Sequence, residues 1–483
     1  MPSPLSLSAL ALLATASLAL PSPQPQHLAS RSPPPPSQPL TVPLKRRANA
    51  HSPGNRRDLE SYKRKAKHLK GKYGGWAPGA KPSSASEANR KTRRAGTVEM
   101  TSYQDSEWYG EIDVGTPPTA FSVVLDTGSS DLILAEPDCT GCESTTPGYD
   151  PTTSSTSSTS ESSFSITYGS GSGSGSLVKD TISIANYTQP DQIFAACSTL
   201  ENIVDGTISG ILGLGFQAIA SSQAVPLVES LALNGSLPEN VFGFAFETHV
   251  FTTASADTAP GGTLTIGGVD TSAYSGSINW VDVVQEAYWS IPLDGVSVGG
   301  TSLGITEDQV VIDTGTTLIG MPTSEVSAIY AQIDNAQAIN LDGESGYYAF
   351  PCDQTVNVSL TFGGVEYPID PDQFNAGAVD TRGTQCLGAI FALETGSDTI
   401  SMIVGDAFLT NYYNAYRFSS GSQKAAVGFA QLGSGGTANT GSSASASGSG
   451  SGGTSGAMSA FAALGKGGVA ATALAVVVAA VLA

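Results

Sequence analysis

The sequence predicts an all-β body built from two related lobes, and three observations carry that prediction. From about Thr97 to Leu432 the chain runs in short alternating stretches such as "YGEIDVG", "FSVVLDTG" and "TLTIGGV", bounded by Gly, Pro, Asn and Asp, which is the composition of strands and turns. The stretch "VVLDTGSSDL" (Val123 to Leu132) returns as "VVIDTGTTLI" (Val310 to Ile319), with its aspartate 187 residues further on. Around each copy the same landmarks recur in order. An aromatic pair leads in, in "WYGEIDVG" (Trp108 to Gly115) and "YWSIPLDGVSVG" (Tyr288 to Gly299), and a glycine follows, Gly213 at 87 residues after Asp126 and Gly405 at 92 after Asp313.

Taken in chain order, the 483 residues divide by composition. Residues 1–20 form an apolar stretch of signal-peptide length with small residues near Ala16 and Ala19. Residues 21–96 are rich in Pro, Ser and basic side chains and carry 17 of the 22 Lys and Arg, against only three acids (Asp58, Glu60, Glu87). The rest of the chain holds five cations and 39 acids, so the net charge of −20 conceals two segments of opposite sign. The run Lys63, Arg64, Lys65, Lys67, Lys70 and Lys72 could bind nucleic acid or be a solvated tail. We favour a basic propeptide that folds back on an acidic body, because "KTRRAG" (Lys91 to Gly96) offers a dibasic processing site where the composition changes. No nucleic-acid partner is therefore expected.

The first lobe is expected over 97–285 and the second over 286–432, with short helices in "SSQAVPLVESLALNG" (Ser221 to Gly235) and "PTSEVSAIYAQI" (Pro322 to Ile333). Three sequons, at Asn186, Asn234 and Asn357, suit a glycosylated, secreted chain. Residues 433–456 form a Ser/Gly-rich stalk that cannot bury a core. Residues 457–483 end in an apolar tail short for a membrane span; small residues around Ser455, a spacer and that tail match a GPI-anchor signal with Ser455 as the attachment site. The expected location is the cell surface through a lipid anchor, or the exterior after release.

A single Asp after an apolar strand is usually a structural turn residue. Two in matched context imply two lobes that each supply one carboxylate. Brought together, two aspartates cannot both ionise cheaply, so the pair keeps one proton over a wide pH range. One carboxylate can then accept a proton from water while the other donates one to a carbonyl oxygen. Glycines allow the tight turn behind each Asp, and Thr and Ser hydroxyls can hydrogen-bond around the pair. His27, His51, His68 and His249 are the only histidines, and only His249 lies in the body; a Ser-His-Asp mechanism and a His-rich metal site are disfavoured, and no metal or cofactor is expected.

Over residues 97–432 the chain resembles the pepsin family of aspartic endopeptidases, on "FSVVLDTGSSDL", "ITYGSGSGSG", "ILGLG", "VIDTGTTL" and "MIVGDAFLTNYY". The shared-proton aspartyl pair is known chemistry of that same family, so its behaviour here is what the resemblance implies. The resemblance implies a bilobal pepsin-like fold with the active-site cleft between the lobes and a flap hairpin from the N-terminal lobe. It makes Asp126 and Asp313 the catalytic pair, supported by Ser129, Thr316, Gly128 and Gly315, acting at acidic pH on protein or peptide substrates. It places Tyr168, Gly169 and Ser170 at the tip of the flap, a disulfide between Cys352 and Cys386, and a pro-segment lysine on the catalytic pair, for which Lys72 in "GKYGG" is the candidate. One departure stands out: seven residues after Asp126, where the family usually has Trp, this chain has Ile133, which has no N–H to offer a flap tyrosine.

Of the other cysteines, Cys139 and Cys142 form a C-x-x-C that could be redox-active or half of a zinc site; without a second pair, a small structural disulfide is favoured. Cys197 is then a buried free thiol. The expected molecule is a monomeric zymogen. The alternative is a catalytically silent, GPI-anchored surface glycoprotein that uses the fold for binding, which predicts a damaged aspartate; both are intact.

Overall fold

The computed structural model describes residues 72–73, 95–103, 107–167, 171–204, 206, 208–248, 259–341, 343–397 and 400–433. The expected leader, most of the basic segment, the hairpin tip Tyr168 to Ser170, His249, Ser455 and the whole tail lie outside these residues.

The strand Thr119–Asp126 begins with alternating exposure and ends in a continuously buried run, Val123 to Asp126. That change follows from its neighbours. It pairs in parallel with Gly210–Gly213 in a register that sets Asp126 opposite Gly213. Gly210–Gly213 pairs antiparallel with Leu132–Thr140, and that strand runs parallel to Tyr187–Glu201. The second half repeats the arrangement: Glu307–Ile312 runs parallel to Met402–Val404, which is antiparallel to Ile319–Met321, itself parallel to Ile390–Ala392. Strands covered on both faces read as unbroken apolar runs. The sequence spacings of 87 and 92 residues are thus strand registers, Asp126 to Gly213 and Val310 to Met402.

The two landmark glycines are required by close approach. A Cβ on Gly213 would lie 2.4 Å from the Ser130 carbonyl carbon, and one on Gly405 would lie 2.1 Å from the Thr316 carbonyl oxygen. In each half the loop carrying the aspartate therefore passes directly over a glycine.

A thirteen-stranded sheet runs through the first half and also takes in two strands from the end of the chain, Tyr412–Arg417 and Ala426–Leu432. Tyr412–Arg417 pairs antiparallel with Val241–Phe246. Where these strands meet the second half, Phe242 stacks on Tyr416 at 5.0 Å and Trp289 packs edge-on to both, forming an aromatic core. Three smaller sheets complete the second half, so the bilobal all-β expectation is met.

The helices are shorter than their sequence windows. Ser221–Gly235 contains a helix only over Leu227–Leu233, because the Asp131 carboxylate accepts the backbone N–H of Ser221 and Ser222 and holds that stretch as a turn up to Pro226. Pro322 opens the other helix, Thr323–Tyr330. No helix among the described residues is long and apolar enough to cross a membrane. Asn186, Asn234 and Asn357 are exposed.

Both disulfides are formed, Cys139–Cys142 and Cys352–Cys386, and Cys197 is a buried free thiol. The Cys352–Cys386 bridge spans 34 residues. Closing a loop of that size removes about 3–4 kcal/mol of unfolded-state entropy. Replacing both cysteines by alanine is therefore expected to lower the unfolding free energy by about that amount in a urea titration; an unchanged midpoint would contradict it.

Candidate active site

Asp126 ends its strand and Asp313 directly follows the equivalent one, and the two meet at the junction of the two halves, 2 % and 0 % exposed. They are brought there by the residues that follow them. Thr127 N–H donates to Thr314 Oγ1 and Thr314 N–H donates to Thr127 Oγ1, both at 3.0 Å. Each hydroxyl passes on its own proton: Thr127 Oγ1 donates to Ile312 O at 2.8 Å and Thr314 Oγ1 to Leu125 O at 2.7 Å. Every partner on one side is matched 187 positions away on the other, so the lattice is a local two-fold axis written in sequence.

Each carboxylate is dressed alike. Gly128 N–H reaches Asp126 Oδ1 at 2.8 Å and Ser129 Oγ reaches Oδ2 at 2.5 Å. Gly315 N–H reaches Asp313 Oδ1 at 2.9 Å, and Thr316 Oγ1 donates to Oδ2. The glycines are steric necessities as well as donors. A Cβ on Gly128 would sit 2.4 Å from the Asp313 carboxyl, and one on Gly315 would sit 2.4 Å from Asp126 Oδ1.

Into this pocket comes Lys72. Its Nζ stands 2.8 and 3.0 Å from the two Asp126 oxygens and 3.2 and 3.1 Å from those of Asp313. Tyr73 adds a hydroxyl that donates to Asp313 Oδ2 at 2.7 Å. Burial pushes Asp126 up to about 6, against the pull of the Lys72 ammonium and together with the charge of Asp313. Burial acts upward on Asp313 as well, but Lys72, Thr316 and Tyr73 hold it below the usual carboxylate range. For Lys72, burial acts downward and is outweighed by the two carboxylates, which keep the ammonium above its ordinary value. Two anions flanking one cation in a buried site titrate as a unit.

Around this centre, Tyr288 packs its ring 5.2 Å from that of Tyr73 and is buried. Sequence reasoning used Tyr288 only as a landmark and did not single out Tyr73; both are ordinary core aromatics until the fold sets them beside the carboxylates. The lattice of Thr127 and Thr314 had a signal that could have found it, a threonine after each repeated aspartate. Ile133 is fully buried in an apolar cluster with Val124, Ala195, Cys197 and Ile211, on the face opposite Leu132 and Leu134. The hairpin strands Ser158–Thr167 and Ser172–Ile184 are in place and pair up to Thr167 and Ser172. Among the described residues no group of His, Cys, Asp and Glu is arranged to hold a metal.

Two equivalent carboxyls, each on its own half of a bilobal β fold and joined across a two-fold lattice, define an aspartic-type endopeptidase of the pepsin-like class, with peptide bonds as substrate. The chain belongs to the eukaryotic aspartyl protease family, whose profile matches residues 107–432. It is 39% identical to major aspartyl peptidase 1 of Cryptococcus neoformans var. grubii over 73% of this chain and 74% of that protein. It is 34% identical to an aspartic protease of Phaffia rhodozyma over 71% of this chain and 81% of that one. Similarity extends to pepsin II-2/3 of Oryctolagus cuniculus, 31% identical over 66% of this chain and 80% of that protein.

The lattice makes a sharp prediction. Thr127→Val leaves the buried Thr314 N–H and Ile312 carbonyl without partners, so a loss of about 2 kcal/mol in stability is expected. Turnover should fall by about tenfold or more as the carboxyls lose alignment. Thr314→Val should match it, and the double variant should cost less than the sum of the two. Additive losses in denaturant melts would show that the two hydroxyls do not act as one unit.

Proposed function

We propose that the chain is made as a zymogen, is exported, and works in acid as a surface or released aspartic endopeptidase. The supporting observation is the position of Lys72, whose ammonium fills the space between the two carboxylates. Residues 1–20 serve as the leader and 21–96 as the propeptide. The lobes span 97–285 and 286–432, the stalk 433–456, and the removed anchor signal 457–483, with attachment at Ser455. The exposed Asn186, Asn234 and Asn357 are the glycosylation sites.

Once Lys72 has left, a water between Asp126 and Asp313 attacks the scissile carbonyl carbon. The ionised carboxylate takes the proton of that water, and the protonated partner gives its own to the carbonyl oxygen. The result is a gem-diol, with no covalent bond to the enzyme. Collapse returns one hydroxyl proton to a carboxylate while the other carboxyl protonates the departing nitrogen, and the C–N bond breaks. Ser129, Thr316 and the Gly128 and Gly315 amides keep the oxygens oriented throughout. Tyr168, Gly169 and Ser170 are assigned to closing the flap over the peptide.

The pH dependence has a definite sign. Lys72 depresses both carboxyls, so its contact is strongest where both are ionised. It weakens as pH falls through about 6, where Asp126 takes up a proton. The fall in charge on the acidic body acts in the same direction on the basic pro-segment.

Asp126→Asn and Asp313→Asn should each lower turnover of the processed protein by at least about 10³-fold in a peptide assay at acid pH. Near-normal turnover in either would defeat the assignment. For the zymogen, the precursor should be silent at neutral pH and activate on acidification, and Lys72→Met should move that onset to higher pH. Equal activity of precursor and processed protein at every pH would refute the role of Lys72. Release of activity from cells by a phosphatidylinositol-specific phospholipase tests the anchor, which a mature chain still containing Val469 to Ala483 would exclude.

A further inference from the structure

Tyr288, the aromatic wall beside the dyad, is carried on a turn of the second half that leans on the first. Glu286 pairs back to Tyr288 and Trp289 to form the turn. Trp289 donates its Nε1–H to Leu214 O at 2.9 Å and packs on Phe216 with ring centroids 4.4 Å apart. The strip Leu214 to Gln217 is therefore the seat of this wall. Within it Ser130 Oγ donates to Phe216 O at 2.7 Å, and at its far end Glu229, on the helix Leu227–Leu233 and only 7 % exposed, accepts the Gln217 N–H on Oε2 at 2.8 Å.

We propose that Glu229 is a positioning residue for peptide binding: through Gln217 and Phe216 it seats the Trp289–Tyr288 turn, and repulsion from Glu286 loosens that seat when both carboxyls are charged. This rests on the peptidase reading of the cleft that Tyr288 borders. It adds to that reading a control on substrate affinity lying outside the catalytic pair.

The electrostatics support the geometry. Burial pushes Glu229 up to about 7, the Gln217 N–H opposes this, and the charge of Glu286 adds to it. A carboxyl raised in the folded state contributes stability that is fully present below its ordinary range and lost as pH rises through about 7. On this proposal the wall is firm in acid and looser at neutral pH, because the cost of a buried charge beside Glu286 outweighs the stronger bond that the ionised carboxyl makes to the Gln217 N–H. Glu286 is the charged group acting on Glu229. The helix carries no other ionisable side chain and the loop 217–226 carries none. Asp131 lies along that loop, bonded to Ser221 and Ser222. The strand packed on the helix, Tyr187–Glu201, brings Tyr187, the buried thiol Cys197, and Asp191 and Glu201, which face solvent.

The test is KM and kcat of the processed enzyme from pH 5 to 8, on a peptide long enough to cross the cleft. The wild type should show a KM that rises by about tenfold through pH 7, beyond the fall in kcat set by the dyad. Glu229→Gln keeps an acceptor for Gln217 but cannot ionise, so its KM should lose most of that rise. Glu286→Gln, at a partly exposed position, should do the same, and the double variant should add nothing. Identical KM profiles in the wild type and both single variants would overturn the proposal. Tryptophan emission of the same proteins separates this from the peptidase reading. If no peptide is cleaved, a wild-type shift through about pH 7 that Glu229→Gln abolishes still supports the clasp, and a shift unaffected by both substitutions sinks it.

Discussion

The reciprocal bonds of Thr127 and Thr314 hold the two halves at the point where their carboxylates meet. Each hydroxyl accepts an amide from the opposite loop and donates to the carbonyl two residues before the opposite threonine. In a buried site these four bonds must be made together, because any group left unpaired is costly. The constraint propagates outward. The loops can come this close only because Gly128 and Gly315 have no side chain, and they can fold over their own strands only because Gly213 and Gly405 lie beneath them. The parallel pairing of strands in each half, and hence the spacing of landmarks along the chain, follows from placing those glycines.

With the loops locked, the carboxyl pair has little freedom except in charge. Two buried aspartates repel when both are ionised. Lys72 answers that repulsion with one cation spread over four oxygens. The charge split of the sequence carries the same logic to larger scale, a basic segment against an acidic body. On the proposed zymogen reading, proton uptake on the body would weaken both at once and so make pH the control.

The repeat itself was legible in the sequence because strand register is a count of residues, and counts survive in a string of letters. Asp126, Asp313 and their glycines could be picked out for that reason, whereas Lys72 in "GKYGG" was a candidate only through the resemblance to the pepsin family, which implies a pro-segment lysine on the pair. Other features were hidden because they depend on what packs against them. Tyr73 and Tyr288 are unremarkable aromatics in the chain. Glu229 looks like a polar position on an amphipathic helix, and only the fold buries it against the Gln217 amide. The helix in Ser221–Gly235 seemed longer than it is because Asp131, ninety residues earlier, takes two of its amides. Ile133 was visible as a departure, and the structure shows it filling an apolar cluster.

The central claim is that Asp126 and Asp313 form one site with one shared proton. Calorimetric binding of pepstatin to the processed protein tests it most directly. The account predicts one site per chain, affinity that falls as pH rises and the shared proton is lost, and loss of binding in either Asp126→Asn or Asp313→Asn. Wild-type affinity in either variant, or binding indifferent to pH, would contradict it.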